Sequence, residues 1–292
     1  MRLSLAVANS LLCAGVLLLG KLFLFPFARL EARWRMLIFR LWSCGQLFAL
    51  GVKTEVEGEP PEPPFFLVSN HLSYLDIPVI GRYAGAIFIA KSEISGWPLV
   101  GFLCRIVNTI FIDRGMRRDL PRVMQEIDSE MKNGMGVVLF AEGTSSKGAT
   151  VLPFRPSLLE VAARSEIPVS YAALSYRTGE DDPPAHEAVC WWGGAPFSPH
   201  ALECAGLQRI HAKVIFGSER IHDADRKRLA NKLRAEILAI FEPVVVEKVD
   251  WAPGGPDAIS APSAARSVDP GSAPADSARV APRTRAPCRG RP

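Results

Sequence analysis

The sequence predicts an α/β fold: a mostly parallel or mixed sheet flanked by helices, preceded by an N-terminal membrane-associated helical segment. Two observations carry this expectation. Downstream of Pro60, short apolar runs alternate with helical patterns, as they do where strands are joined by helical crossovers. Upstream, Leu3 to Gly20 holds no charged residue at all. The chain has 292 residues, 48% hydrophobic and 22% charged, enough for one sizeable core in one or two domains.

As a helix, Leu3 to Gly20 spans about 27 Å, close to the roughly 30 Å of a bilayer's hydrocarbon layer, so one membrane pass is open to it. A cleaved signal peptide competes, since Arg2 opens the segment and Ala14 to Leu19 would serve as its apolar region. No clear small-x-small site precedes the basic stretch, however. Arg29, Arg33, Arg35 and Arg40 follow, and their bias places the rest of the chain on the cytoplasmic face of the cell inner membrane. Trp34 to Leu50 sets apolar residues among those arginines, as an interfacial amphipathic helix does; a core helix fits equally well. Residues 1–58 are thus expected to form transmembrane or interfacial helices.

Pro60, Pro61, Pro63 and Pro64 end the helical entry, because proline lacks the amide donor and disfavours helix at the residue before it. A catalytic domain is expected over 59–252. Strands are expected at Phe65 to Ser69, Ala86 to Ala90, Thr109 to Ile112, Gly136 to Phe140, Val169 to Leu174, Val189 to Trp192 and Lys213 to Phe216. Helices are expected at Asp119 to Lys132, Ser157 to Ala163 and Asp225 to Phe241. Residues 253–292 are Ala, Pro, Ser, Gly, Asp and Arg with almost no bulky apolar side chains; a disordered tail is expected, since too little surface can be buried to offset its ordering entropy.

The formal net charge of +4 is too small and too dispersed for nucleic acid, and an anionic membrane surface is the better partner. Cys13, Cys44, Cys104, Cys190, Cys204 and Cys288 form no CxxC pair and no metal spacing, so reduced thiols are expected. His186, His200, His211 and His222 lack ligand spacing too, and no metal is implied. There is no Gly-x-Gly-x-x-Gly and no P-loop. Gly143-Thr144-Ser145-Ser146-Lys147 lacks the second glycine of a nucleophile elbow, which disfavours a serine hydrolase. Cys190-Trp191-Trp192 could floor an apolar groove or simply pack at a strand end.

Chemistry concentrates in Ser69-Asn70-His71-Leu72-Ser73-Tyr74-Leu75-Asp76, where an apolar strand turns polar before a helix. Open α/β sheets place their ligands at such ends. His71 and Asp76 do not share a face of an ideal helix, so they meet only if His71 lies in the turn and Asp76 in the first helical turns. A carboxylate on one imidazole nitrogen would set the tautomer and leave the other nitrogen to take a proton from a hydroxyl.

These residues resemble the glycerolipid acyltransferase family. Asn70, His71, Ser73 and Asp76 match its Asn-His-x-Ser-x-x-Asp signature; Ile110-Phe111-Ile112-Asp113-Arg114 matches its second. Phe140-Ala141-Glu142-Gly143-Thr144 matches Phe-Pro-Glu-Gly-Thr, and Ile167-Pro168-Val169 stands for the fourth, a proline-containing strand. The resemblance implies an O-acyltransferase in which His71 and Asp76 are the catalytic dyad. It further implies that Arg114, Glu142, Gly143 and Thr144, with Asn70 and Ser73, serve acceptor binding. The implied substrates are a lysolipid acceptor, with 1-acyl-sn-glycerol-3-phosphate first, and an acyl thioester donor. Acyl-CoA or acyl-acyl-carrier-protein would be the cosubstrate, with no bound cofactor. Ala141 replaces the usual proline, and Ser145-Ser146 replaces the arginine that many members carry after Glu-Gly-Thr. With Val151-Leu152-Pro153-Phe154-Arg155-Pro156 this stretch is similar to a branch that includes lyso-ornithine lipid acyltransferases, which opens that acceptor as the alternative.

Overall fold

Phe66–Ser69 and Gly136–Phe140 are buried at every position, as befits central strands of a sheet covered on both faces. They lie in a computed structural model that describes residues 1–113, 119–165 and 167–245. Along the chain come helices α1 (Arg2–Leu24) and α2 (Ala28–Leu50), strands β1 (Val52–Glu57) and β2 (Phe66–Ser69), α3 (Asp76–Tyr83), β3 (Ala86–Lys91), α4 (Val100–Ile106) and β4 (Ile110–Ile112). Then follow α5 (Leu120–Lys132), β5 (Gly136–Phe140), α6 (Glu160–Arg164), β6 (Val169–Thr178), α7 (Ala185–Ala188), α8 (Phe197–Gly206), β7 (Ile210–Phe216) and α9 (Arg226–Ile240).

The strands form one seven-stranded sheet in the order β1-β7-β6-β2-β5-β3-β4. From β6 to β4 every neighbouring pair is parallel, so these strands end on one edge. β7 runs antiparallel to β6, and β1 lies parallel to β7. The sheet is therefore mixed, with a parallel core.

Three expectations need correction. Val52–Glu57, in the stretch expected to be helical, is an edge strand; its Val-Lys-Thr-Glu-Val-Glu alternation is the half-buried pattern such a strand uses. Val189 to Trp192 is not a strand. It leaves α7 as a turn whose Trp191 amide donates to the Leu72 carbonyl at 2.8 Å, which fixes it against the end of β2 instead of along an edge. Ser157 to Ala163 begins as a tight 3₁₀ turn over Pro156–Leu159 before α6, and α9 starts where Asp225 accepts from the Lys227 and Arg228 amides, both at 2.9 Å. Residues 253–292 and Arg114 lie outside the described residues.

α1 and α2 pair as an antiparallel hairpin built inside out. Its seam is polar: Gln46 donates to the Ala6 carbonyl at 2.8 Å and to Ser10 at 2.6 Å, and Asn9 donates to the Trp42 carbonyl at 3.0 Å. The outer surface carries Leu12, Leu19, Leu22 and Phe23, all more than half exposed. Both ends of α1 are tied down. The Arg2 guanidinium donates to the Leu50, Leu207 and Gln208 carbonyls, and Lys21 reaches Asn108 at 2.8 Å. α2 packs on α3 so closely that a Cβ at Gly81 would stand 2.5 Å from Phe39. Arg35 does not join the outward basic face of Arg29, Arg33 and Arg40. It is buried, with its guanidinium on Glu130 at 2.8 and 3.1 Å and on Glu31 at 3.3 Å.

Candidate active site

β2 ends at Ser69, and the next residue ties the loop to the neighbouring strand. The Asn70 amide accepts from the Leu174 N–H at 2.7 Å and donates to the Leu174 carbonyl at 3.0 Å. A side chain thus imitates one more rung of the β2–β6 ladder. Asn70 is buried and both ends of its amide are used, so its geometry suits holding the loop, not contacting substrate. Ser73 is buried as well, with Oγ accepting from the Leu75 amide at 3.3 Å. It shapes the turn into α3.

Asp76 is the first residue of α3, where a carboxylate suits the helix N-terminus. Its Oδ2 faces His71 Nδ1 at 2.7 Å and accepts from the Leu72 and Ser73 amides at 2.7 and 3.0 Å. Its Oδ1 accepts from the Tyr176 hydroxyl at 2.6 Å. The carboxylate is fully buried, whereas the His71 ring is 22% exposed. An acceptor-only carboxylate on Nδ1 makes that nitrogen the N–H, which leaves the Nε2 lone pair as the base. The ring lies flat on Phe140 of β5, 4.1 Å between centroids. Tyr176, at the far end of β6, is a buried partner that no local pattern reveals, a hundred residues from the carboxylate it holds.

The loop after β5 closes over this turn. Gly143 sits at φ 73, a left-handed conformation natural to glycine. The Ser146 amide donates to the His71 carbonyl at 3.0 Å, Ser145 Oγ donates to the Trp191 carbonyl, and Glu142 Oε1 accepts from the His71 amide at 3.1 Å. Glu142 therefore braces the backbone of His71, while Thr144 is exposed at the surface. Burial, with the charge of Asp76 adding to it, pushes the Glu142 carboxyl up to about 8; the amides of His71 and Leu152 and the charge of Arg234 pull the other way.

Glu142 consequently keeps its proton in the fold at pH values where the unfolded chain has released it. That contribution to stability is complete below about pH 4.5 and is lost as pH rises through 8. Glu142→Gln, which imitates the protonated form, is expected to flatten the decline in stability between pH 5 and pH 8. Denaturant midpoints at the two pH values test this, and parallel profiles for wild type and variant would refute it.

Arg114 follows β4, which ends on the same sheet edge as β2, three strand positions away or about 14 Å. The structure describes the two ends of that connection: the Asp113 amide donates to Asp119 at 3.2 Å, and Arg122 to the Phe111 carbonyl at 2.6 Å. On the other side stand Tyr74, Trp191, Phe197 and His200, ring against ring at 5.2–6.3 Å. His200 Nε2 faces the Cys190 carbonyl, so Nε2 carries the hydrogen and Nδ1 accepts from Tyr74. Burial lowers the His200 pKa, in keeping with a neutral structural imidazole.

An imidazole backed by a buried carboxylate, at the strand ends of an α/β sheet, defines a base-catalysed group-transfer enzyme. A family model described as Acyltransferase matches residues 53–174. The chain is 31% identical over 245 residues to the lyso-ornithine lipid O-acyltransferase of Rhizobium meliloti, covering 77% of this chain and 83% of that one. It is 34% identical over 201 residues to the 1-acyl-sn-glycerol-3-phosphate acyltransferase of Neisseria meningitidis, covering 67% and 77%. With the lyso-ornithine lipid O-acyltransferase of Pseudomonas aeruginosa it shares 34% identity over 143 residues, covering 49% and 55%, so the chain spans about half the length of that relative. The crystal structure of the 1-acyl-sn-glycerophosphate acyltransferase from Thermotoga maritima has the same fold, with a TM-score of 0.51 at 20% identity over 81% of this chain and 96% of that one. The chain belongs to the acyltransferase family, and it is an O-acyltransferase.

Proposed function

We infer that the protein moves a fatty acyl group from a thioester onto the sn-2 hydroxyl of 1-acyl-sn-glycerol-3-phosphate, giving phosphatidate. The observation that carries the chemistry is the 2.7 Å contact between His71 Nδ1 and a fully buried Asp76. Nε2 takes the hydroxyl proton as the acceptor oxygen attacks the thioester carbonyl, and Asp76 stabilises the imidazolium that forms. Collapse of the tetrahedral intermediate breaks the carbon–sulfur bond, and the Nε2 proton passes to the departing thiolate. No acyl-enzyme is needed, and the donor is acyl-CoA or an acyl-acyl-carrier-protein. Glu142 and Gly143 shape the loop beside the base, and Arg114 with Thr144 forms the acceptor end of the site.

Residues 59–252 act as the catalytic domain and 253–292 as a tail, with the inside-out hairpin of residues 1–58 as the anchor. The supporting observation is that α1 exposes its leucines yet has both ends hydrogen-bonded to the same body. A helix of 23 residues, about 34 Å long, that is held at both ends lies along that body, so the hairpin rests in one leaflet instead of crossing the membrane. The outward Arg29, Arg33 and Arg40 suit the anionic cytoplasmic leaflet of the inner membrane.

Lyso-ornithine lipid is the second reading, favoured by Ser145-Ser146 where an arginine would hold phosphate and by the relatives from Rhizobium and Pseudomonas. Mass spectrometry of acyl transfer to a lysolipid panel separates the two. For a phosphate acceptor, Arg114→Ala is expected to raise the apparent KM for lysophosphatidate roughly ten- to a hundredfold, the equivalent of one charge-assisted hydrogen bond, and to leave that for the thioester near wild type. Use of lyso-ornithine lipid with lysophosphatidate ignored would reject the phosphate acceptor and keep the acyl transfer.

A further inference from the structure

Leu99 stands at φ 59 and ψ −57, and the Val100 amide donates to the Pro98 carbonyl at 2.6 Å. This is a γ-turn of the strained hand, rare for a residue with a side chain. The strain holds an apolar residue out in the open: Leu99 is 45% exposed, with Trp97 at 36% and Phe102 at 43%. Such a patch calls for a partner.

The surroundings say which partner. Immediately after the turn, α4 packs Leu103 and Ile106 against Ala14 and Leu17 of α1 and Ile38 of α2, so the turn is carried on the hairpin and continues its apolar face. Arg105 of the same helix donates to the Ser95 carbonyl at the base of the turn and is exposed, a cation where a headgroup would lie. On its inner side the Trp97 ring meets Trp191 at 6.4 Å and Phe197 at 5.9 Å, and Trp191 is hydrogen-bonded to the Leu72 carbonyl next to His71.

Resting on the reading of the hairpin as a one-leaflet anchor, we propose that the Trp97–Phe102 turn is a second membrane-inserting element, a wedge that enters the acyl-chain layer and opens the active site directly onto the lipid surface. The acceptor then slides from the leaflet into the site without crossing water. The wedge adds little to overall attachment, since the hairpin carries that; it governs delivery.

The test compares two acceptor forms: lysophosphatidate embedded in phosphatidylcholine–phosphatidylglycerol vesicles, and a short-chain lysophosphatidate that stays monomeric in solution. Leu99→Ser combined with Phe102→Ser is expected to sediment with vesicles like wild type. Its apparent KM for the embedded acceptor should rise tenfold or more, with activity on the monomeric acceptor unchanged. Unchanged activity on vesicles overturns the proposal. So does an equal loss on the monomeric acceptor, which would make the turn part of the acyl groove. Leu99→Gly supplies a second route, because glycine relieves the strain: its thermal midpoint should rise while vesicle activity falls, and a rise without the fall also overturns the proposal. Leu12→Ser with Leu19→Ser tests the anchor separately. If that variant still sediments with vesicles, the hairpin reading fails whatever the turn does.

Discussion

His71→Ala is expected to lower kcat by roughly 10²–10⁴-fold, the usual worth of a positioned general base, while the protein stays folded. The ring is partly exposed and stacks on Phe140, so its loss removes contact area from one side only. Asp76→Asn is expected to lower kcat comparably for a different reason. An asparagine can keep its oxygen toward His71, Leu72 and Ser73 and turn its amide to the Tyr176 oxygen, so the hydrogen-bond frame survives and only the charge that stabilises imidazolium is lost. Tyr176→Phe is milder, leaving Oδ1 without its hydroxyl and changing the pH profile of kcat more than KM. Steady-state kinetics beside thermal melts decide the matter. His71→Ala retaining a tenth or more of wild-type kcat would remove the base from the mechanism.

The second large effect is on stability. Arg35 is 2% exposed and holds Glu130 through two hydrogen bonds and Glu31 through one. Arg35→Ala leaves two carboxylates facing each other in a dry interior, a kind of broken pair that costs about 3–5 kcal/mol. For a chain of this size that corresponds to a fall in Tm of roughly 6–20 °C. Replacing both partners, Arg35→Met with Glu130→Met, is expected to recover most of the loss, because the desolvation of both charges disappears with them. A single variant within about 1 kcal/mol of wild type would show that water reaches the pair.

Much of this was legible in the sequence, and the misses share a cause. β2, β3, β4 and β5 announce themselves as short apolar runs with polar ends, because strands buried on both faces need no alternation. The site was legible too, since His71 and Asp76 had to meet across a turn and do. β1 carried a readable period of two, but it adjoins a long helix and its partner β7 lies more than a hundred residues on. Val189 and Cys190 are apolar enough for a strand, yet they are buried against the sheet's end with no ladder position to take. Asn70 and Ser73 were legible as site residues, but not as residues whose polar atoms are spent on backbone. Tyr176 on Asp76 and Glu130 on Arg35 are pairings at separations of 100 and 95 residues. Local periodicity reports which face of an element is apolar; it carries no information about such distant partners.

The clamp of Arg2 on Leu207 and Gln208 has a consequence in time. A ribosome adding about 5–20 residues per second makes the receiving surface roughly 10–40 s after Arg2 itself. The hairpin, complete by Leu50, spends that interval with its leucine face uncovered and its dock unmade. β1 waits likewise for β7, and the strand beside it cannot close the sheet early. The nascent chain therefore meets its lipid, or a holding factor, before it meets its own fold, and the order of synthesis sets membrane attachment ahead of catalysis.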